Sequence, residues 1–158
     1  MFRIGIGHDT HRLVEGSVLL LGGVRIEHTR KLLGHSDADV LLHAVTDALL
    51  GAAGLSDIGE MFPDTDEANK ERDSAEMLRI AYQKVRANGW TIVNLDMIIF
   101  AQKPKMAPYK EAICRRIADV LQIETHQIGI KAKTGEYVGT IGREEAVSAQ
   151  CVCLLERV

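Results

Sequence analysis

Apolar residues alternate at Phe2, Ile4 and Ile6, which predicts a strand over about Phe2 to Gly7, with Asp9 and His11 at the end of the apolar run. Val18 to Leu21 and Val24 to Ile26 flank Gly22-Gly23, a two-residue hairpin signal. Asp37 is placed to cap a helix from Ala38 to about Ala53, whose apolar stripe is Leu41, Ala44, Val45, Ala48, Leu49 and Ala52. A second helix is predicted from Ser74 to Asn88 on Leu78, Ala81, Tyr82 and Val85, stopped by Asn88-Gly89. Trp90 to Ala101 contains a strand, and Pro108 sits at the first turn of a third helix carried by Ile113, Ile117, Val120 and Leu121. Ile128 to Thr134 alternates, and Ala146 to Leu155 reads as the longest strand, apolar on both faces. The segment from Leu55 to Arg72 has little periodic apolar content, and a loop of that length in a compact domain is usually functional or disordered.

This alternation predicts an α+β fold: a single domain over residues 1–158, built on one mixed sheet with helices packed on one face. A strand that is apolar on both sides needs cover on both, so the other face of the sheet is expected to meet another subunit.

A hydrophobic fraction of 46% and a charged fraction of 26% are those of an ordinary globular chain. The net charge of −3, the absence of a basic stripe and an aromatic content of 4% speak against nucleic acid as partner. No apolar stretch is long enough to span a membrane, and Met1-Phe2-Arg3-Ile4-Gly5 lacks a signal-peptide core. Cys114, Cys151 and Cys153 have no zinc-like spacing and suit a reducing compartment. Cytoplasm is therefore the expected location, with a plastid the alternative for a chain whose transit peptide has been removed.

Residues two apart on a strand share a face, so Asp9 and His11 project a carboxylate and an imidazole together. A nitrogen from His43 would complete three protein ligands and leave a fourth position open, the pattern of a catalytic zinc site. His43 falls on the polar side of its helix, with Asp39 and Asp47 one turn away on either side, both placed to take its second N–H. His8 points to the opposite face of the strand. His35 and Ser36, with free backbone N–H groups before the helix, are candidates for holding a phosphate; for His35 an ordinary structural histidine in a loop is the alternative. Lys103, Lys105, Lys131, Lys133 and Thr134 lie near strand ends, where phosphates are bound, although each lysine singly is better explained by solvation. Glu136 is a candidate ligand for a second, harder cation, magnesium or manganese. Together these residues point to a divalent metal handling a phosphorylated small molecule without naming the reaction.

Gly7-His-Asp-Thr-His11, Leu33-Gly-His-Ser-Asp-Ala-Asp39 with His43, Thr46-Asp-Ala-Leu-Leu-Gly51, Asp57-Ile-Gly59, Phe62-Pro-Asp-Thr-Asp66, Asp73-Ser74, Ala101-Gln-Lys-Pro-Lys-Met106 and Gly142-Arg143-Glu144-Glu145 follow one another in order over essentially the whole chain. In this series the chain resembles the 2-C-methyl-D-erythritol 2,4-cyclodiphosphate synthases of the non-mevalonate isoprenoid pathway. The resemblance implies a homotrimer with interfacial active sites, the second sheet face towards the trimer interior. It also implies zinc on Asp9, His11 and His43, and magnesium or manganese near Glu136. The implied substrate is 4-diphosphocytidyl-2-C-methyl-D-erythritol 2-phosphate, cyclised with release of CMP. By the same resemblance His35 and Ser36 hold the attacking phosphate and Thr134 stabilises the transition state. Asp57, Ile58, Gly59 and Asp64 would line the erythritol pocket, and Ala101, Gln102, Lys105, Met106 and Ala107 with Lys133 would cradle the cytosine; Phe62, Asp66 and Arg143 would be further substrate contacts. Against the family pattern, His8 stands where an aromatic residue is common, Thr140 where phenylalanine is frequent and Ala146 where glycine is. Two other functions fit the residues by themselves: a zinc phosphoesterase using metal-bound water, and a non-catalytic, zinc-stabilised trimer that binds nucleotides.

Overall fold

The computed structural model describes residues 1–158. Strands are β1 (Phe2–Glu15), β2 (Val18–Leu21), β3 (Val24–Glu27), β4 (Arg30–Leu33), β5 (Trp90–Phe100), β6 (Ile128–Lys133) and β7 (Ala146–Arg157). Helices are α1 (Val40–Ala53), α2 (Ile58–Met61), α3 (Ser74–Ala87), α4 (Lys110–Leu121) and α5 (Gly139–Gly142). The main sheet has the order β4-β1-β7-β5-β6. Only β5 and β6 run parallel, the other neighbours being antiparallel, so the sheet is mixed as expected. The β2–β3 ribbon stands apart from it. Its turn residues Gly22 (φ 59°) and Gly23 (φ 73°) both take the left-handed conformation that the hairpin requires.

Three sequence-based expectations change. β1 is 14 residues long and outruns β7, so Asp9 and His11 lie inside a strand rather than at its end. Its polar half is held by pairing rather than by burial: Asp9 pairs with Ala149 and His11 with Val147, while Arg12 to Glu15 also pair with β4, a short edge strand that the sequence pattern did not indicate. α1 begins at Val40, because Asp39 and not Asp37 is the N-cap, its carboxylate accepting from Leu42 N–H. The segment from Leu55 to Arg72 is built around α2 and a 3₁₀ turn, Glu67–Asn69, capped by Asp57 and Asp66 respectively.

α1 lies on β1 and β7, α3 on α1 and β5, and α4 on α3 and β6. One core of 37 buried residues fills the space between helices and sheet. Because α3 covers α1 from outside, ten of its 14 residues are buried, and the polar side expected around His43 is part of the interior. The opposite sheet face carries an apolar stripe open to solvent in the single chain: Phe2 is 63% exposed, Ile4 76%, Ile6 68% and Val152 46%. Parity explains the inversion on β1. Gly5 and Gly7 take the positions facing α1, so the large apolar residues between them point the other way.

Candidate metal centre

Close contact between a strand and a helix builds this site. A Cβ on Gly5 would stand 2.7 Å from the backbone nitrogen of Ala52, and one on Gly7 2.7 Å from that of Ala48. On the helix, Ala44, Ala48 and Ala52 recur every fourth residue, so small residues meet glycines and the backbones approach closely. Asp9 and His11 continue the Gly5–Gly7 face of β1, and His43 is the neighbour of Ala44. The seating of α1 therefore brings the three side chains together.

His11 Nε2 and His43 Nδ1 each lie 2.9 Å from Asp9 Oδ2, and 3.4 Å from each other. These are the only three His, Cys, Asp or Glu residues whose ligating atoms cluster in this way, all within 4.8 Å of one another. A tetrahedral ion with bonds of about 2.0–2.1 Å needs ligand atoms roughly 3.3 Å apart, so the triangle is already near that size. The free imidazole nitrogens are committed too. His11 Nδ1 lies 2.8 Å from Leu33 O, which leaves Nε2 for an ion. Two nitrogens and one carboxylate oxygen with an open fourth direction fit zinc.

The charges are interlocked. Burial alone would raise the Asp9 carboxyl, but hydrogen bonds with His11 and His43 outweigh it and hold the group well below the usual carboxylate range. His11 is pushed above its ordinary value, chiefly by that bond to Asp9 and against the effect of burial.

Asp39 and Asp47 do not orient His43. Asp39 is fully buried and takes N–H bonds from Gly22 (2.9 Å), Gly23 (2.7 Å) and Leu42 (3.1 Å), while Asp47 accepts from Ile58 N–H at 2.8 Å. Both carboxylates are occupied by backbone donors that would otherwise be orphaned. Nδ1 of His43 faces Asp9, and its Nε2 meets Ser74 Oγ at 2.8 Å and Ser36 Oγ at 3.1 Å. Ser74 belongs to the Asp73-Ser74 motif, but nothing in the local pattern signals its contact with a histidine 31 positions away.

The triad forms one wall of a cavity of about 230 Å³, whose other walls include His35, Ser36, Ile58, Gly59, Phe62 and Asp64. Asn69 and Met77 also line it, and no motif marked them. His35 Nε2 is buried without a hydrogen-bond partner, an acceptor or donor held ready for something in the cavity. Asp57 and Asp66 lie outside it, their carboxylates turned onto Glu60 N–H and Ala68 N–H as caps. A larger cavity of about 470 Å³ between α3 and α4 holds no ligating cluster.

The remaining candidates gather elsewhere on the same chain. Thr134 Oγ1 donates to Glu136 Oε1 (3.2 Å) and accepts from Glu136 N–H, while Gln102 Oε1 accepts from Tyr137 N–H at 3.3 Å. Ala101 N–H bonds Lys133 O at 2.9 Å, which ties the segment after β5 to the end of β6. Met106 is buried in the core, so only its backbone faces outward; Lys105, Ala107 and Lys133 are exposed, and Arg143 is paired with Glu145. Following the pairing, Asp9 aligns with Ala149, Ile99 and Ala132. Thr134 thus stands at the same end of the sheet as His11 but three strands away, about 14 Å.

The YgbB family model matches residues 2–156, which is almost the whole chain. The chain belongs to this family. A relative from Shouchella clausii, named 2-C-methyl-D-erythritol 2,4-cyclodiphosphate synthase, is 54% identical over 157 residues and 99% of each chain. Among solved structures, a bifunctional protein from Campylobacter jejuni aligns with TM-score 0.96 and 44% identity over 100% of this chain, which spans 43% of that longer protein. The CDP complex of the Plasmodium falciparum member aligns with TM-score 0.86 and 36% identity over 99% of this chain and 96% of the other. As a YgbB member this chain is an enzyme, a phosphorus–oxygen lyase of isoprenoid biosynthesis. No helix in it is long and apolar enough to cross a membrane.

Proposed function

We propose that this YgbB enzyme cyclises 4-diphosphocytidyl-2-C-methyl-D-erythritol 2-phosphate to 2-C-methyl-D-erythritol 2,4-cyclodiphosphate, releasing CMP. The observation that carries this is one cavity walled by the Asp9–His11–His43 cluster and by His35 and Ser36. The partnerless His35 Nε2 and the Ser36 hydroxyl beside a cluster able to hold a cation support a phosphorylated ligand. The names and CDP-bound state of the relatives support the same substrate class.

In the reaction an oxygen of the 2-phosphate bonds to the phosphorus attached to the erythritol. The bond from that phosphorus to the bridging oxygen breaks, and its electron pair leaves on CMP. Such a transfer asks the protein for alignment and charge neutralisation more than for covalent chemistry. His35 Nε2 and the Ser36 hydroxyl hold the attacking phosphate. Ile58, Gly59, Phe62 and Asp64 enclose the erythritol, with Asp57 and Asp66 shaping that wall through the caps they form. Asp9, His11 and His43 would hold zinc, which when bound supplies Lewis-acid neutralisation of phosphate charge. Glu136 would contribute to a magnesium or manganese site, an ion that commonly takes one or two carboxylates and shares substrate phosphates. Thr134 stabilises the phosphoryl group in transfer once its hydroxyl turns from Glu136, and Ala101, Gln102, Lys105, Met106, Ala107, Lys133 and Arg143 form the nucleotide side.

The two halves of the machinery lie about 14 Å apart across the sheet, and the exposed stripe of Phe2, Ile4 and Ile6 needs a partner. A homotrimer in which one subunit's nucleotide side completes the neighbour's metal side satisfies both. The cytoplasm, or a plastid, is the compartment proposed.

The test is incubation with the diphosphocytidyl substrate, followed by phosphorus NMR and mass spectrometry. CMP with a cyclic diphosphate in equal amounts is expected. Linear phosphates alone would establish a phosphoesterase instead, and unchanged substrate a binding protein.

A further inference from the structure

We propose that Ser74, backed by Asp37, is a positioning residue for the metal centre: a hydrogen-bonded chain Asp37–Ser74–His43 that aims His43 Nδ1 and frees the Ser36 hydroxyl proton for the ligand in the cavity. It rests on the assignment of zinc to Asp9, His11 and His43.

The direction of each bond follows from a donor count. Asp37 accepts from Ser74 twice, through its N–H at 2.9 Å and through its hydroxyl. The Ser74 hydroxyl is the donor of its bond to Asp37, so its one proton is already committed. Ser74 Oγ therefore has only lone pairs left for His43 Nε2, 2.8 Å away, and must accept Nε2–H. With Nε2 committed to Ser74, the nitrogen left to an ion is Nδ1, which stands 2.9 Å from Asp9 Oδ2.

Ser36 Oγ is also within reach of His43 Nε2, at 3.1 Å, but it accepts from Ala38 N–H at 3.2 Å. With Nε2 already protonated, the Ser36 hydroxyl cannot donate to it, and its proton is left to point into the cavity that Ser36 lines. One serine thus acts through the histidine and the other on the ligand.

The frame around the chain is rigid. Ser74 is 1% exposed and opens α3, whose cap is Asp73, so its own side chain is not needed to start the helix. Asp37 N–H bonds Arg72 O at 3.1 Å, and Glu71 N–H bonds His35 O at 2.8 Å, which fastens the start of α3 to the His35–Asp37 segment. The chain of hydrogen bonds from His43 through Ser74 to Asp37 polarises along its length, making that imidazole a better donor to a cation.

The experiment compares Ser74→Ala, Ser36→Ala and wild type. Zinc affinity is measured by competition with a chromophoric chelator, and the His43 imidazole N–H is followed by proton NMR in the zinc-loaded protein. Ser74→Ala is expected to lose about 10–100-fold in zinc affinity and to lose the protected N–H resonance. Ser36→Ala should keep both, and should instead bind CDP with added inorganic phosphate less tightly. Should Ser74→Ala not fold, Asp37→Asn is read by the same measurements, with a fall in zinc affinity expected. The proposal requires both changes in Ser74→Ala; zinc affinity at the wild-type level, or a fall in affinity with the resonance retained, overturns it. These readouts need no turnover. If wild type fails to bind zinc, the metal assignment has failed as well; if it binds zinc and Ser74→Ala binds equally, the relay alone has failed.

Discussion

The carboxylate of Asp39 accepts the N–H of Gly23 at 2.7 Å, tying the first turn of α1 to the β2–β3 hairpin. The same side chain also takes Gly22 N–H and caps α1 through Leu42 N–H, so three backbone donors depend on one buried group. Burial pushes its carboxyl up to about 6, against the pull of these three bonds. Asp39→Ala would leave those donors without partners. A loss of ~3 kcal/mol or more is expected, since each buried unsatisfied group costs about 1–3 kcal/mol. Urea denaturation of the metal-free protein measures it, and a midpoint equal to that of wild type would contradict the role.

Gly7 faces the backbone of α1 with no room for a methyl group. Gly7→Ala must push the helix from the strand, at a cost of about 1–3 kcal/mol for overpacking. Because His43 rides on that helix beside Ala44, zinc affinity should fall together with stability. Thermal melting and zinc competition on one sample check the pairing of the two effects. Gly51→Ala, at a helix position with open space around it, is the control: it should raise stability by about 0.4–1 kcal/mol and leave zinc affinity unchanged.

Proton linkage gives the metal-free and zinc-loaded proteins opposite responses to rising pH. His11 has a folded value raised above 6.5, so its contribution to metal-free stability is fully present below 6.5 and is lost as pH rises through the raised value. Asp9 is depressed, so its contribution is present above 3.8 and is lost only in strong acid. Zinc needs the His11 proton removed, so stabilisation by zinc grows as pH climbs through that same range. Melting temperatures with and without zinc, from about pH 5.5 to about pH 8.5, should therefore diverge steadily. A constant difference would argue against His11 as a ligand.

Ile4 and Ile6 are among the most exposed large apolar residues of the chain. If the sheet face they occupy is the trimer interior, Ile6→Lys should yield monomers in sedimentation velocity and abolish turnover. Zinc affinity should survive, because the triad comes from one chain. Retained trimers with full turnover would place the interface elsewhere.

Much of the site was legible from residue types at short spacing. Asp9 and His11 share a strand face through the two-residue period alone, and Gly22-Gly23 demanded a left-handed turn. The helix stripes placed α1, α3 and α4 within a few residues. Chemistry that depends on direction was not legible. Asp39 and Asp47 sit one turn from His43, yet both carboxylates are consumed by backbone donors, and the groups that do meet His43 come from Ser36 and α3. Asp37, a plausible cap by sequence, holds Ser74 instead.

The sequence by itself determined the long strands and helices, though not β4, α2 or α5, and which side chains can ligate a cation, because periodicity and functional groups are local properties. Tertiary structure decided how those side chains face one another. The Gly5–Gly7 contact with α1 sets the triangle of ligands, and the register from β1 through β7 and β5 to β6 keeps Thr134 and Glu136 three strands from it. Both depend on packing between segments far apart in the chain, where excluded volume and backbone pairing, not residue type, fix the distance.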